Sequence, residues 1–139
     1  MIRAVVDTNV VLSGLLFGGV PLRVLKAAYE HQFTWVTSNP LLSELTTLLS
    51  SRKFAIHPNE IEELMTPMLE VVEIVVPRKK IRVIRRCDGD NRVLECAAEG
   101  TCDFIVTGDR RDLLSLIKYE GIAILNSRDF LETLPDLSN

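Results

Sequence analysis

The stretch that decides the fold is Arg3-Ala4-Val5-Val6-Asp7-Thr8-Asn9-Val10-Val11. Its short apolar, β-branched run, close to the N-terminus, predicts a strand that is buried on both faces, as in a parallel sheet. The strand ends in a carboxylate, Asp7. Because the carboxyl ends of central strands open into the ligand crevice of α/β sheets, Asp7 is expected where such proteins place their chemistry. For a single residue, an Asp that only caps the strand end is the simpler alternative.

Similar apolar runs recur along the chain and alternate with helical patterns. Strands are predicted at residues 3–7, 33–37, 71–76, 104–107 and 122–125. The alternation predicts an α/β/α sandwich, in which helices cover both faces of a parallel sheet. The length of 139 residues predicts one domain spanning residues 1–139.

Two further predictions concern segments between the strands. Gly14, Gly18 and Gly19 predict a loose segment between the first strand and Pro21. Proline suits the first turn of a helix, so a helix is expected to start near Pro21. A later helix is predicted from about Arg110 to Tyr119.

Composition excludes several classes of protein. No apolar run reaches the roughly 18 to 20 residues that span a bilayer, and no signal peptide is visible, so we expect no membrane and a cytoplasmic location. The three cysteines, Cys87, Cys96 and Cys102, form no CxxC pair, which argues against a disulfide scaffold or a structural zinc site. The net charge of -3 does not by itself indicate a nucleic-acid binder.

Three further acids follow strand ends or helix starts. Glu44 lies at the margin of the buried face of a helix that opens with Ser38-Asn39-Pro40, and Asp90 is expected to be the N-cap of another helix. Asp109 follows the strand at residues 104–107. Each could simply be a capping or solvated residue. Glu95 and Glu99 are rotated roughly 140° and 180° from Asp90 on the helical wheel, which predicts that they face outward.

Together, the four carboxylates predict a metal site. The topology brings Asp7, Glu44, Asp90 and Asp109 to one edge of a small sheet, where like charges are tolerated if they are solvated, protonated or bound to cations. Oxygen-only ligands suit Mg²⁺ or Mn²⁺ better than zinc. A metal held by carboxylates can activate water for attack on a phosphodiester, and this chemistry needs no histidine.

One stretch is strongly basic. It carries six cations in the ten residues 77–86 and no acid, and it leads directly to Asp88-Gly89-Asp90. A solvated face is the common reason for such a run, but these cations could also hold an RNA backbone beside the acids. The six are Arg78, Lys79, Lys80, Arg82, Arg85 and Arg86.

The order of these motifs resembles the PIN-domain family, and in particular its VapC-related toxin components. The similarity covers nearly the whole chain, and its most specific parts are the opening Val5-Val6-Asp7-Thr8-Asn9, the helix start Asp90-Asn91-Arg92-Val93-Leu94-Glu95, and Asp103-Phe104-Ile105-Val106-Thr107-Gly108-Asp109. Many relatives are richer in acids and proline where this chain has Cys87-Asp88-Gly89.

The resemblance implies a five-stranded parallel sheet in the order 3-2-1-4-5. It also implies a Mg²⁺- or Mn²⁺-dependent endoribonuclease, usually dimeric and usually silenced by a small antitoxin protein. Carried over residue by residue, Asp7, Glu44, Asp90 and Asp109 match the catalytic and metal-binding acids of the family. Thr8, Asn9, Thr107 and Asp112 match flanking polar positions that could help to position substrate.

Other functions remain open from the residues alone. An aspartyl-phosphate phosphatase of the HAD type also places an Asp after its first strand, but it uses a second Asp two residues later, where this chain has Asn9. A phosphoacceptor receiver normally has an early acidic pair, which is missing here. A PIN-like scaffold that only binds a partner should have lost one of the acids, yet none is missing.

Overall fold

A computed structural model describes residues 1–80, 88–108 and 113–135 of the chain. Helices and strands alternate along it from the first residues onward. In chain order the elements are β1 (Arg3–Val6), α1 (Thr8–Phe17), α2 (Gly19–Tyr29), β2 (Thr34–Thr37), α3 (Asn39–Leu49), α4 (Pro58–Val71), β3 (Glu73–Ile74), α5 (Asp88–Glu99), β4 (Phe104–Val106), α6 (Leu113–Leu116), β5 (Lys118–Tyr119), β6 (Ile122–Leu125) and α7 (Ser127–Thr133).

The sheet has the order β3-β2-β1-β4-β6-β5, which places β1 near its middle. All pairings are parallel except that of β5 with β6. The five predicted strands therefore occur in the predicted order, and their carboxyl ends share one edge of the sheet. β3 is shorter than predicted, because α4 continues through Val71 and leaves only Glu73 and Ile74 to pair with β2.

A sixth strand, β5, was not predicted, because the helix expected to continue to Tyr119 ends at Leu116. Tyr119 instead pairs with Ile122 across a two-residue turn. The turn residues Glu120 and Gly121 have φ values of 47° and 84°. Positive φ at both central residues is what a type I′ hairpin turn requires.

The prediction of a loose segment before Pro21 is wrong, because α1 occupies residues 8–17. Gly14 lies inside this helix, where a Cβ atom would come within 2.8 Å of Leu25 Cδ1. The glycine therefore permits a close approach of α1 and α2. The actual break falls at Gly18, whose φ of 76° favours glycine.

Side chains from both faces of the strands are buried. Ala4 and Val6 join one hydrophobic cluster with α1, α2, α4 and α7, whereas Val5 joins a second cluster with α5 and Leu113 of α6. Helices thus cover both faces, which confirms the predicted α/β/α sandwich. In the described parts of the chain, no single helix is long and apolar enough to cross a membrane, and only α1 and α2 together, bent by 100°, have that length and composition.

Candidate active site

Asp7 lies at the carboxyl end of the central strand β1 and is 4% exposed. Its backbone begins α1, because the Asp7 carbonyl accepts hydrogen bonds from the Val10 and Val11 N–H groups at 2.9 and 3.1 Å. Its side chain, however, makes no capping hydrogen bond to the helix. The simpler interpretation of Asp7 as a cap therefore does not describe what its carboxylate does.

The carboxylate is held from the neighbouring strand instead. Thr107, the residue after β4, donates a hydrogen bond from Oγ1 to Asp7 Oδ2 at 2.7 Å, and Thr107 is fully buried. The backbones fix this alignment, since the Asp7 N–H donates to the Val106 carbonyl at 2.8 Å and the Thr107 N–H to the Leu125 carbonyl at 2.9 Å. Three adjacent strands thus position one buried carboxylate at the sheet edge.

Glu44 is tied to the same place through the first residue of α1. Thr8 Oγ1 donates a hydrogen bond to Glu44 Oε2 at 3.2 Å, which joins the start of α1 to the middle of α3. Thr8 is buried, and Glu44 is half-buried at the margin of its helix, as predicted. Because Thr8 follows Asp7 directly, this contact brings the Glu44 carboxylate to the neighbourhood of the Asp7 strand end.

Asp90 approaches the sheet from the other side, on α5. It is 9% exposed, and the next residue, Asn91, is 1% exposed. The helix contacts β1, β2, β4 and α3. The expectation that Asp90 is the N-cap is wrong, since α5 already begins at Asp88. Asp90 is a buried residue of the first turn.

The expectation that Glu95 faces outward is also wrong, because it is 6% exposed. The prediction assumed that the side of the helix away from Asp90 is solvated, but α5 contacts α3 as well as three strands. The buried carboxylate is paired with the Arg92 side chain, whose Nε lies 2.7 Å from Glu95 Oε2. Glu99, near the helix end, is only half-buried.

Asn91 and Glu95 are therefore buried polar residues near the site that sequence reasoning missed. A signal was present in the polar residues themselves, because Asn91 and Glu95 are one helical turn apart and lie between the apolar residues of α5. Buried polar side chains need partners, so polar residues at this spacing on an apolar face indicate a buried polar cluster.

The acidic and polar site residues that remain are Asn9, Asp109 and Asp112. Asn9 is exposed on the first turn of α1, so the structure does not bring it into the group formed by Asp7, Thr107, Thr8 and Glu44. Asp109 and Asp112 lie outside the described residues. Within the described ranges, no three His, Cys, Asp or Glu side chains are close enough to hold a metal ion.

Arg78, the first cation of the basic run, lies at the far end of α5 from Asp90. The Arg78 side chain is 92% exposed, and its Nε lies 3.5 Å from Glu99 Oε1. Glu99 ends α5, nine residues after Asp90, which is about 14 Å along the helix axis. Lys79 and Lys80 are exposed. The other predicted RNA-binding cations, Arg82, Arg85 and Arg86, lie outside the described residues.

Cysteine chemistry is not supported at the described thiols. Cys96 and Cys102 are buried and form no disulfide. Burial raises the pKa of the Cys96 thiol to about 12, and it raises the pKa of the Cys102 thiol to about 12 as well. Both thiols therefore remain protonated at neutral pH and are poor nucleophiles and poor metal ligands.

The donor chemistry fits a hard divalent cation. Asp7 and Asp90 are buried carboxylates, Glu44 is half-buried, and the hydroxyls of Thr8 and Thr107 orient two of these three side chains. Oxygen donors of this kind suit Mg²⁺ or Mn²⁺. An arrangement of carboxylates fixed by neighbouring hydroxyls resembles the oriented ligands of metal sites, in which partners of the ligands set their geometry.

Comparison with known proteins identifies the family and the fold. The family model described as the PIN domain matches residues 3–111, most of the chain. Among solved structures, the fold is similar to the crystal structure of VapBC2 from Rickettsia felis bound to a DNA fragment from their promoter. That similarity has a TM-score of 0.66 at 15% sequence identity and covers 90% of this chain and 98% of the other. No curated protein sequence matches the chain.

Proposed function

The chain belongs to the PIN-domain family, and from this premise we propose that it is a metal-dependent endoribonuclease that cleaves phosphodiester bonds in single-stranded RNA. PIN domains as a family are nucleases that act through clustered acids. The proposal identifies Asp7, Glu44, Asp90 and Asp109 as the catalytic and metal-binding residues. Thr8, Thr107, Asn9 and Asp112 are assigned supporting roles.

The observation that carries the proposal is the environment of Asp7. A carboxylate that only ended a strand or capped a helix would bond its own backbone, whereas Asp7 is buried and accepts a hydrogen bond from Thr107 of the adjacent strand. Folding a charged group into this position is unfavourable unless something compensates it. The fixed Thr107 hydroxyl supplies part of that compensation, and a divalent cation held at the sheet edge would supply more.

Asp7, Glu44, Asp90 and Asp109 would hold Mg²⁺ or Mn²⁺. When bound, such an ion lowers the pKa of a coordinated water and stabilises negative charge on a phosphodiester. The chain's own residues orient the ligands. Thr107 fixes one oxygen of Asp7, and Thr8 fixes one oxygen of Glu44.

The proposal extends to partners and location. The similar structure from Rickettsia felis is a VapBC2 complex bound to promoter DNA. On that likeness, together with the family match, we assign this chain the role of the toxin in a type II toxin–antitoxin pair. Its proposed partners are an RNA substrate, a small antitoxin protein and a second copy of the chain in a homodimer, and its proposed location is the cytoplasm.

The family match also bears on the alternatives. A phosphatase of the HAD type belongs to a different family and needs a general acid where this chain has the exposed Asn9. A non-catalytic PIN-like scaffold has no need for a buried Asp7 oriented by Thr107. It is the alternative that the experiment below distinguishes.

The test is cleavage of a mixed panel of single-stranded RNAs by the purified protein, with Mg²⁺, with Mn²⁺ and with excess EDTA. We expect cleavage only with metal. Asp7→Asn should remove most of the activity and leave the fold intact, because it changes the charge of a ligand and hardly changes its volume. Glu62→Gln is the matched control, since Glu62 is an exposed residue of α4 and its loss of charge should leave the rate unchanged.

Full activity in excess EDTA would refute metal dependence. Wild-type rates for both Asp7→Asn and Asp109→Asn would refute the assignment of the site. A folded protein that binds RNA and cleaves no member of the panel would support the scaffold instead.

A further inference from the structure

Two aromatic rings meet on the surface between the end of α1 and the segment after α3. The Phe17 side chain is 73% exposed. Its ring lies 6.3 Å from the Phe54 ring between centroids, with the planes inclined by 62°. Neither ring belongs to the two hydrophobic clusters that the described residues form. Core packing therefore does not account for this pair.

A positive charge lies beside the pair. Lys53 Nζ lies 5.6 Å from the centre of the Phe54 ring, within the range of a cation–π interaction. Residues 8–29, which carry Phe17, contain Arg23 and Lys26 and no acid, and residues 45–59, which carry Phe54, contain Arg52 and Lys53 and no acid. These four cations are exposed, in a chain whose net charge is -3. The segments that carry the two rings are thus positively charged, which suits a polyanion.

Both rings are reached from the acidic site along rigid elements. Phe17 ends the helix that Asp7 begins, about 14 Å along the axis from Thr8. Phe54 follows the helix that carries Glu44. Its own segment is fixed, because the Phe54 N–H donates to the Ser51 carbonyl at 3.2 Å and the Lys53 N–H donates to Ser51 Oγ at 3.3 Å. The pair therefore lies at the far end of a helix, about 14 Å long, that starts directly after Asp7.

We propose that Phe17 and Phe54, flanked by Arg52 and Lys53, form a stacking site for bases of the single-stranded RNA whose backbone enters the acidic site. Proteins that bind single strands combine aromatic side chains, on which bases stack, with cations that follow the phosphates. This combination is what the surface offers. The inference rests on the proposed ribonuclease function, which it deepens by adding a second point at which the substrate is held.

The test measures binding in the Asp7→Asn background, without divalent metal, so that the RNA stays intact. The probes are a fluorescently labelled single-stranded RNA and, as a polyanion without bases, inorganic polyphosphate. Phe17→Ala and Phe54→Ala should each weaken RNA binding by about tenfold and leave polyphosphate binding unchanged. Leu69→Ala, which removes a side chain that is 49% exposed on α4, is the matched control and should change neither.

A spectroscopic variant makes the test specific to stacking. The only tryptophan, Trp35, is 1% exposed, so the indole of Phe17→Trp is the one that added RNA can reach. We expect this variant to keep its affinity for RNA, RNA to quench its fluorescence, and polyphosphate to leave the emission unchanged.

Equal RNA affinity in the alanine variants, or an indole that RNA does not quench, would overturn the proposal. A change in oligomeric mass in the alanine variants, with RNA affinity unaltered, would identify the pair as a protein interface and overturn it as well. These failures are distinct from failure of the nuclease. If wild type cleaves RNA and the rings do not contribute, only the stacking site is wrong; if the rings bind RNA and wild type cleaves none, only the nuclease is wrong.

Discussion

Thr107→Val tests whether a hydrogen bond from the adjacent strand orients Asp7. Valine has nearly the volume of threonine, so the substitution removes the hydroxyl and leaves the packing of a fully buried residue intact. The hydroxyl that it removes donates the 2.7 Å hydrogen bond to Asp7 Oδ2. At that length, an O–H donor to a carboxylate is a charge-assisted bond.

The magnitude follows from burial of both partners. A hydrogen bond to a charged group contributes about 1.5 to 3 kcal/mol, and neither Thr107 nor Asp7 exchanges it readily for water at 0% and 4% exposure. We expect Thr107→Val to lower the free energy of unfolding by about 2 kcal/mol and Tm by about 5 to 10 °C for a chain of this size. If Asp7 is a metal ligand, RNA cleavage should also fall by about 10- to 100-fold, as when a partner of a ligand is removed.

The assay combines urea denaturation in EDTA with RNA cleavage in Mg²⁺. Thr107→Ser is the matched control, because it keeps the hydroxyl and removes only a methyl group. The serine variant should retain most of the cleavage rate despite a decrease of about 1 kcal/mol in stability from the missing methyl. Wild-type stability and cleavage in Thr107→Val would refute the role of the hydrogen bond. A serine variant as inactive as the valine variant would show that packing at this position matters and the hydroxyl does not.

Two further predictions concern the charged residues Asp109, Lys79 and Lys80. In EDTA, Asp109→Asn should melt at or above the Tm of wild type, because it relieves repulsion among carboxylates. In millimolar Mn²⁺ its Tm should rise less than that of wild type, because the variant lacks one ligand. Equal destabilisation in both buffers would identify Asp109 as a helix cap, whose removal costs about 0.5 to 2 kcal/mol with or without metal. Charge reversal at Lys79 and Lys80 in the Asp7→Asn background should weaken RNA binding. The slope of log binding constant against log salt concentration should become shallower by about 0.7 for each phosphate that the variant no longer neutralises. An unchanged slope would assign these exposed lysines to a solvated face or a protein interface.

The sheet could be predicted from sequence because its strands carry a strong and local signal. β1, β2 and β6 are short β-branched or apolar runs, and their order follows from the family resemblance. The hairpin strand β5 could not be predicted in the same way. It depends on positive φ at Glu120, a residue that rarely signals such a turn, and on pairing with β6 across the turn.

The first helix escapes prediction for a related reason. Gly14 indicates a helix breaker when only its own propensity is considered. Its place in α1 becomes understandable from a tertiary contact, since a larger side chain would collide with Leu25 of α2. Helix propensity is local, whereas the close packing of two helices is not, and the sequence pattern reports only the first.

The candidate site also combines residues that local patterns predict with residues that only tertiary contacts reveal. The positions of Asp7 and Glu44 could be predicted because one follows from where a strand ends and the other from the margin of the apolar face of a helix, which are features of the local pattern. The role of Thr107 could only be suggested by resemblance, because its bond to Asp7 joins residues 100 positions apart. The prediction for Glu95 is wrong because a helical wheel does not show which other elements pack against the helix, and α5 contacts α3 in addition to the sheet.

The enclosure of α5 therefore changes what its polar residues imply. On a helix with a solvated side, Asn91 and Glu95 would need no explanation. On a helix packed against three strands and α3, each must be compensated, and Arg92 compensates Glu95 at 2.7 Å. The Arg92–Glu95 pair lies on the turn directly after Asp90, so the charge of a buried carboxylate is balanced within α5 itself.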